Sequence, residues 1–280
     1  MALLCWASAF PAIRLCVRHF SPGELALGRF LTASLVVAPA LFFSRPRLPR
    51  LRDAGWFFLL GFLGYFVYHV CLNFGETAVT AGAASFLINT APVWASLLAV
   101  AFLGERLGAR GWIGIGVSFV GALLIAASSA EGFGLRPEAL LILLAAVSAA
   151  IYLVLQKKLL DRYRPLELTA YSMWAGTLLL MVFAPRLPAQ VSAAPLGANL
   201  ALIYLGVFPG ALAYVIYAFA LARLPATRLA SFLYAVSPLT VVISWLWLGE
   251  VPPTFALLGG ALALAGVALV NAPARKQTSL

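Results

Sequence analysis

Charged residues are scarce in this chain. They make up 10% of its 280 residues, and only nine are acidic. An ordinary soluble domain carries about 25% charged residues, so the polar surface that such a domain needs is missing. The shortage of acids leaves no cluster of carboxylates to hold a metal, and no H-E-x-x-H pair occurs. The two histidines, His19 and His69, lie in different segments. No Gly-x4-Gly-Lys phosphate loop is present, so a pump driven directly by ATP would need a separate subunit. Three cysteines, Cys5, Cys16 and Cys71, lie in apolar segments without metal spacing and are read as small hydrophobes. No cofactor, no metal and no enzymatic activity is therefore expected. The N-terminus also lacks the basic region and small-residue cleavage site of a removable signal peptide, so the first membrane span is expected to begin near Met1.

What is abundant is apolar sequence: 63% hydrophobic residues, with a mean hydropathy of +1.00. A spanning helix needs about 20 apolar residues. Ten runs meet that need, at roughly 2–18, 22–44, 53–74, 80–102, 108–128, 136–156, 166–186, 197–221, 227–248 and 254–271. The net charge of +10 could suggest nucleic acid. The basic residues instead fall in short clusters between apolar runs, as in cytoplasmic membrane loops. With the N-terminus inside, the inner loops hold Arg45, Arg47, Arg50 and Arg52; Arg106 and Arg110; Lys157, Lys158, Arg162 and Arg164; Arg223 and Arg228; and Arg275 and Lys276. The opposite loops hold Arg14, Arg18, Arg136 and Arg186. That bias places both termini in the cytoplasm. The expected partners are the lipid bilayer and a small-molecule substrate, with no nucleic acid and no obligate protein partner.

The chain also repeats itself. Ala84 to Glu105 (ASFLINTAPVWASLLAVAFLGE) returns as Ala230 to Glu250 (ASFLYAVSPLTVVISWLWLGE), about 145 residues later. Each copy opens on Ala-Ser-Phe-Leu, carries one proline and closes on Leu-Gly-Glu. Pro22 and Glu24, after Ser21, pair in the same way with Pro165 and Glu167. Ser21 is expected to cap the second helix. The expected fold class is an all-α integral membrane protein of ten transmembrane helices, arranged as two inverted five-helix repeats around a central cavity. The repeats are 1–132 and 133–280. Five being odd, the second must cross the bilayer in the opposite sense, an arrangement found in transporters.

Polar groups within lipid are costly and face the bundle interior or a wet cavity. In the third run, spacings of four place Tyr65, His69 and Asn73 on one stripe, with Tyr68 beside it. The same residues could instead form buried hydrogen bonds between helices. Tyr214 and Tyr217 echo them in the eighth run. The fourth run holds Asn89, Pro92 and Trp94, and the ninth Tyr234 and Pro238. A proline inside a helix removes a hydrogen bond and kinks the axis, so Pro11, Pro92 and Pro238 are read as hinges. Trp6 in the first run and Tyr152 in the sixth complete the candidate substrate-binding set. His69 is read as a hydrogen-bonding residue ahead of a proton carrier. Arg29 either grips a carboxylate or, the reading favoured by sequence, snorkels outward or meets a backbone carbonyl. Glu105 and Glu250 are expected to fix loops at helix ends, and Gly206 with Gly210 to allow close helix packing.

The doubled P-x(11–12)-LGE segments, Gly28-Arg29-Phe30 early in the second run and the basic stretch after the sixth resemble the drug/metabolite transporter superfamily, EamA type, over essentially the whole chain. Tyr68-His69, and Trp94 after Pro92, are most similar to the YddG-type amino-acid exporters. That resemblance implies a basket of helices around a central cavity, a bacterial inner-membrane location, and export of neutral or aromatic amino acids or related metabolites from the cytoplasm. The alternatives are a drug or nucleotide-sugar exchanger of the same fold, or a passive channel. The resemblance implies no cofactor. The counterpart of Trp6-Ala7-Ser8 reads Ala149-Ala150-Ile151, so the second half lacks the paired aromatic.

Overall fold

A bilayer offers no water to backbone N–H and C=O groups, so long apolar runs satisfy their own hydrogen bonds as helices. The computed structural model describes residues 1–46, 49–77, 84, 87–127, 137–249 and 254–271, all helix, turn or connecting chain. Helices cover at least part of every expected run. They are α1 (Ala2–Cys16), α2 (Pro22–Phe43), α3 (Leu51–Gly75), α4 (Ala91–Leu103), α5 (Ala109–Ala127), α6 (Pro137–Leu159), α7 (Pro165–Ala193), α8 (Leu196–Arg223), α9 (Ala226–Trp247) and α10 (Thr254–Asn271). Among the described residues, α2, α3, α7, α8, α9 and the Leu140–Leu159 part of α6 are long and apolar enough to cross a membrane. The seventh run extends beyond its expected end at Arg186, through a tighter turn at Met181–Arg186 and a further helical stretch to Ala193.

The three expected hinge prolines share one placement, and it corrects the mid-helix kink expected of them. Each stands in the first turn of a helical segment that follows a local break. Pro11 follows Ser8 within α1, Pro92 is second in α4, and Pro238 is third in the segment Val236–Leu248 after a tight turn at Phe232–Ala235. A proline there lacks only an N–H that a helix start leaves unbonded anyway. The Ala7 carbonyl, four residues before Pro11, accepts the Thr240 hydroxyl of α9 at 3.2 Å.

Two other helices carry widened, π-type turns at matching places: Phe62–Val67 in α3 and Gly206–Leu212 in α8. Such turns leave backbone carbonyls for other donors and occur often at functional sites. Here the donors come from distant helices. Ser148 Oγ of α6 donates to the Leu63 carbonyl (2.8 Å), and Trp6 Nε1 of α1 donates to the Pro209 carbonyl (3.1 Å).

Close helix contacts rest on glycine. A Cβ on Gly206 would fall within 3 Å of the Arg29 carbonyl and the Thr32 side chain of α2, so the Gly206/Gly210 pair lets α8 press on α2. Gly114 and Gly121 of α5 do the same against α10, where Ser118 Oγ donates to the Ala263 carbonyl at 3.0 Å.

The two Leu-Gly-Glu segments end their helices alike. Gly104 and Gly249 adopt φ of 66° and 69°, the left-handed conformation that glycine takes without strain. Glu105 then accepts the Ala226 and Thr227 backbone N–H groups at the start of α9, at 2.6 and 2.9 Å. It fixes a loop end, as the sequence suggests; Glu250 lies outside the described residues. Ser21 departs from its expected capping role. Its backbone N–H and hydroxyl are both taken by the Gln190 amide of α7. At the matching start of α7, the Arg164 backbone N–H donates to the Glu167 carboxylate at 3.0 Å. Between α6 and α7, burial and the hydrogen bond that Tyr163 donates to Asp53 (2.6 Å) push the tyrosine hydroxyl's pKa upward.

Candidate functional site

A central cavity with about 1080 Å³ of empty space, part of it open to solvent, is lined from both halves of the chain. Its lining combines aromatic and polar side chains (Tyr68 and His69 of α3, Tyr152 and Gln156 of α6, Tyr214 and Tyr217 of α8) with small or apolar ones (Ala91 and Ala95 of α4, Ala149 and Ala150 of α6, Leu233 and Val236 of α9). Trp6, Phe10 and Ile13 of α1 and Arg29 of α2 complete it.

A directed chain of hydrogen bonds organises the polar lining. An arginine nitrogen can only donate, so Arg29 Nη1 donates to His69 Nδ1 across a long 3.5 Å contact. His69 Nε2 is then the protonated nitrogen and donates to the Tyr214 oxygen at 3.0 Å. Tyr214 passes its own proton to the Gly64 carbonyl, in the widened turn of α3, at 3.3 Å. His69 thus works here as a hydrogen-bond relay of fixed tautomer. The rings are locked as well: Phe30 meets His69 edge-on with centroids 4.5 Å apart, Tyr65 stacks on Tyr214 at 5.0 Å, and Trp6 packs on Tyr217 at 4.9 Å. Aromatic pairs in these geometries are favoured by the ring quadrupole.

Of the eleven substrate-contact residues expected from sequence, the structure brings seven to the cavity: Trp6, Tyr68, His69, Asn89, Tyr152, Tyr214 and Tyr217. Asn89 spends its amide on Ser237 of α9, tying α9 to the start of α4. The other four stand elsewhere. Tyr65 is fully buried behind the wall and shares a 3.2 Å hydrogen bond with Tyr152. Asn73 donates to the Pro22 carbonyl at 2.9 Å, holding the start of α2. Tyr234 is fully buried in a cluster with Ile115, Val267 and Val270. Trp94 points away from the cavity and is 44% exposed. Tyr65 and His69 keep a common face, both packing on Phe30 and Tyr214, but Tyr65 lies in the widened turn and is covered by Tyr152 and Tyr214.

Sequence reading left two polar lining residues, Gln156 and Arg29, out of the site. Gln156 stands four residues after Tyr152 and donates to its hydroxyl at 3.0 Å, while its own oxygen is buried without a partner. The i, i+4 spacing on an apolar helix was the available signal. Arg29 does not snorkel. It is 3% exposed, bonds no backbone carbonyl among the described residues and faces the cavity. Among the described residues no group of three or more metal-ligating side chains is found.

Comparison with known proteins fits this architecture. The EamA-like transporter family matches residues 1–127 and again 136–272. A probable terminal-alkyne amino-acid exporter of Streptantibioticus cattleyicolor is 41% identical over 271 residues, 97% of this chain and 91% of that protein. An uncharacterized transporter of Bacillus subtilis, YdfC, is 37% identical over 275 residues, 98% of this chain and 90% of its own length. A solved crystal structure at 21% sequence identity superposes with a TM-score of 0.82, covering 99% of this chain and 96% of that one, which shows a shared fold.

Proposed function

The chain belongs to the EamA-like transporter family, and from that premise we propose that it exports neutral and aromatic amino acids, or closely related metabolites, from the cytoplasm. It is a multi-pass membrane protein whose relatives are named as transporters, one of them a probable amino-acid exporter. In this reading it sits in a bacterial inner membrane with both termini cytoplasmic. Residues 1–132 and 133–280 form two inverted repeats, and one rocks against the other around the cavity.

One observation carries the proposal: a cavity lined from both halves of the chain by aromatic rings, a few polar groups and small apolar side chains. The aromatic faces of Trp6, Tyr68, Tyr214 and Tyr217 would hold the apolar part of the solute. His69 and Asn89 would answer its polar part. The contacts joining the halves, Trp6 to Pro209, Asn89 to Ser237 and Ser148 to Leu63, are those that rocking would exchange.

The test is counterflow of radiolabelled amino acids into proteoliposomes preloaded with unlabelled solute. Saturable uptake of neutral or aromatic amino acids is expected, and Tyr68→Ala should lower it about tenfold or more while the protein stays monodisperse. Absence of amino-acid counterflow, wild-type uptake by the variant, or conductance without saturation would each defeat the reading.

A further inference from the structure

A buried cation needs either a partner charge or an open site that awaits one. Arg29 is 3% exposed, yet no described carboxylate lies within ion-pair reach. Its guanidinium makes one long hydrogen bond to His69, its Nε is buried without a partner, and it sits 5.6 Å from the centre of the Phe30 ring. Glu76 makes no hydrogen bond to it and is not among the described cavity-lining residues. His69 cannot neutralise Arg29, because an imidazole is neutral or cationic and never an anion. Arg29 is the one arginine or lysine among the described lining residues, which include no aspartate or glutamate. A planar guanidinium offers paired N–H groups that match the two oxygens of a carboxylate.

We propose that Arg29 is the cavity's anion subsite and grips the carboxylate of the transported solute. His69 holds the guanidinium in place from one side, as a positioning residue, and the solute completes its hydrogen bonding from the other. This deepens the amino-acid reading by naming the solute group that is recognised, and it rests on that reading only for the rest of the solute.

The test measures ligand-induced thermal stabilisation of the purified full-length protein with two acid–amide pairs: phenylalanine and phenylalaninamide, then phenylpropionate and phenylpropionamide. Wild type should bind each acid about 10- to 100-fold more tightly than its amide, the span expected for charge-assisted hydrogen bonds. Arg29→Gln should erase that preference. Arg29→Lys, which keeps charge without the fork, should retain part of it and serves if the glutamine variant does not fold. Equal binding of acids and amides by wild type, an unchanged preference in Arg29→Gln, or an equal loss of both ligand types would overturn the subsite. Binding of phenylpropionate but not phenylalanine, still with an Arg29-dependent preference, would sink the amino-acid reading and leave the subsite standing. Phenylalanine binding without acid preference would do the reverse, and no binding of either acid would overturn both.

Discussion

The widened turns of α3 and α8 are the same backbone irregularity reached by different sequences. Phe62–Val67 contains no proline and is covered by the second half of the chain, through Ser148 on Leu63 and Tyr214 on Gly64. Gly206–Leu212 carries Pro209 and is covered by the first half, through Trp6. Each half therefore satisfies backbone groups that the other half's irregular helix leaves over. Glycine does the complementary job at both turns. Gly61 lies against the α7 backbone at Ser172–Gly176, and Gly206 against the α2 backbone at Arg29. The contrast teaches that the cavity wall depends on cross-half contacts to main chain, which residue type alone does not reveal.

The comparison breaks most severely if the close approaches are blocked. Gly206→Val forces a side chain onto the Arg29 carbonyl and Thr32, and Gly61→Val onto α7 main chain. Backbone cannot yield easily, so each should cost about 3 kcal/mol and lower the melting temperature by many degrees in detergent. Gly55→Ala, with nothing within 4 Å, should leave it unchanged. A stable Gly206→Val protein would show that α8 does not press on α2.

Ser148→Ala and Trp6→Phe sharpen the comparison at the next level. Each removes one cross-half hydrogen bond to a carbonyl of one widened turn, and each should cost about 1 kcal/mol, near the size measured for hydrogen bonds within membranes. Matched losses of melting temperature would establish that the two turns are energetically equivalent. A large loss from one and none from the other would break the equivalence. The smallest effect belongs to the outward face of α4: Trp94→Ala should keep uptake within about twofold of wild type, as expected for a side chain away from the site. A tenfold loss would return Trp94 to the solute path.

Much of the fold was legible because lipid imposes a single rule. An apolar run of sufficient length can bury its backbone groups only as a helix, so composition marks where the helices lie. The Leu-Gly-Glu ends were equally readable, since a glycine past a helix end predicts a left-handed cap and a glutamate beyond it can accept backbone N–H groups. The site was readable only in part. Tyr68, His69 and Tyr214 were found from polarity inside apolar sequence. Tyr65, Asn73 and Tyr234 carried the same signal and proved to be wall or scaffold, because polarity reports burial and not which neighbour is met.

The sequence by itself determined that the chain is a membrane-spanning helical protein and that its motifs are doubled, because both follow from local composition and spacing. Only the tertiary structure decided which faces enclose the cavity. The approach of α8 to α2 buries Arg29 beside His69, and the widened turns of α3 and α8 meet side chains of distant helices, so the site is set by contacts between residues far apart in the chain.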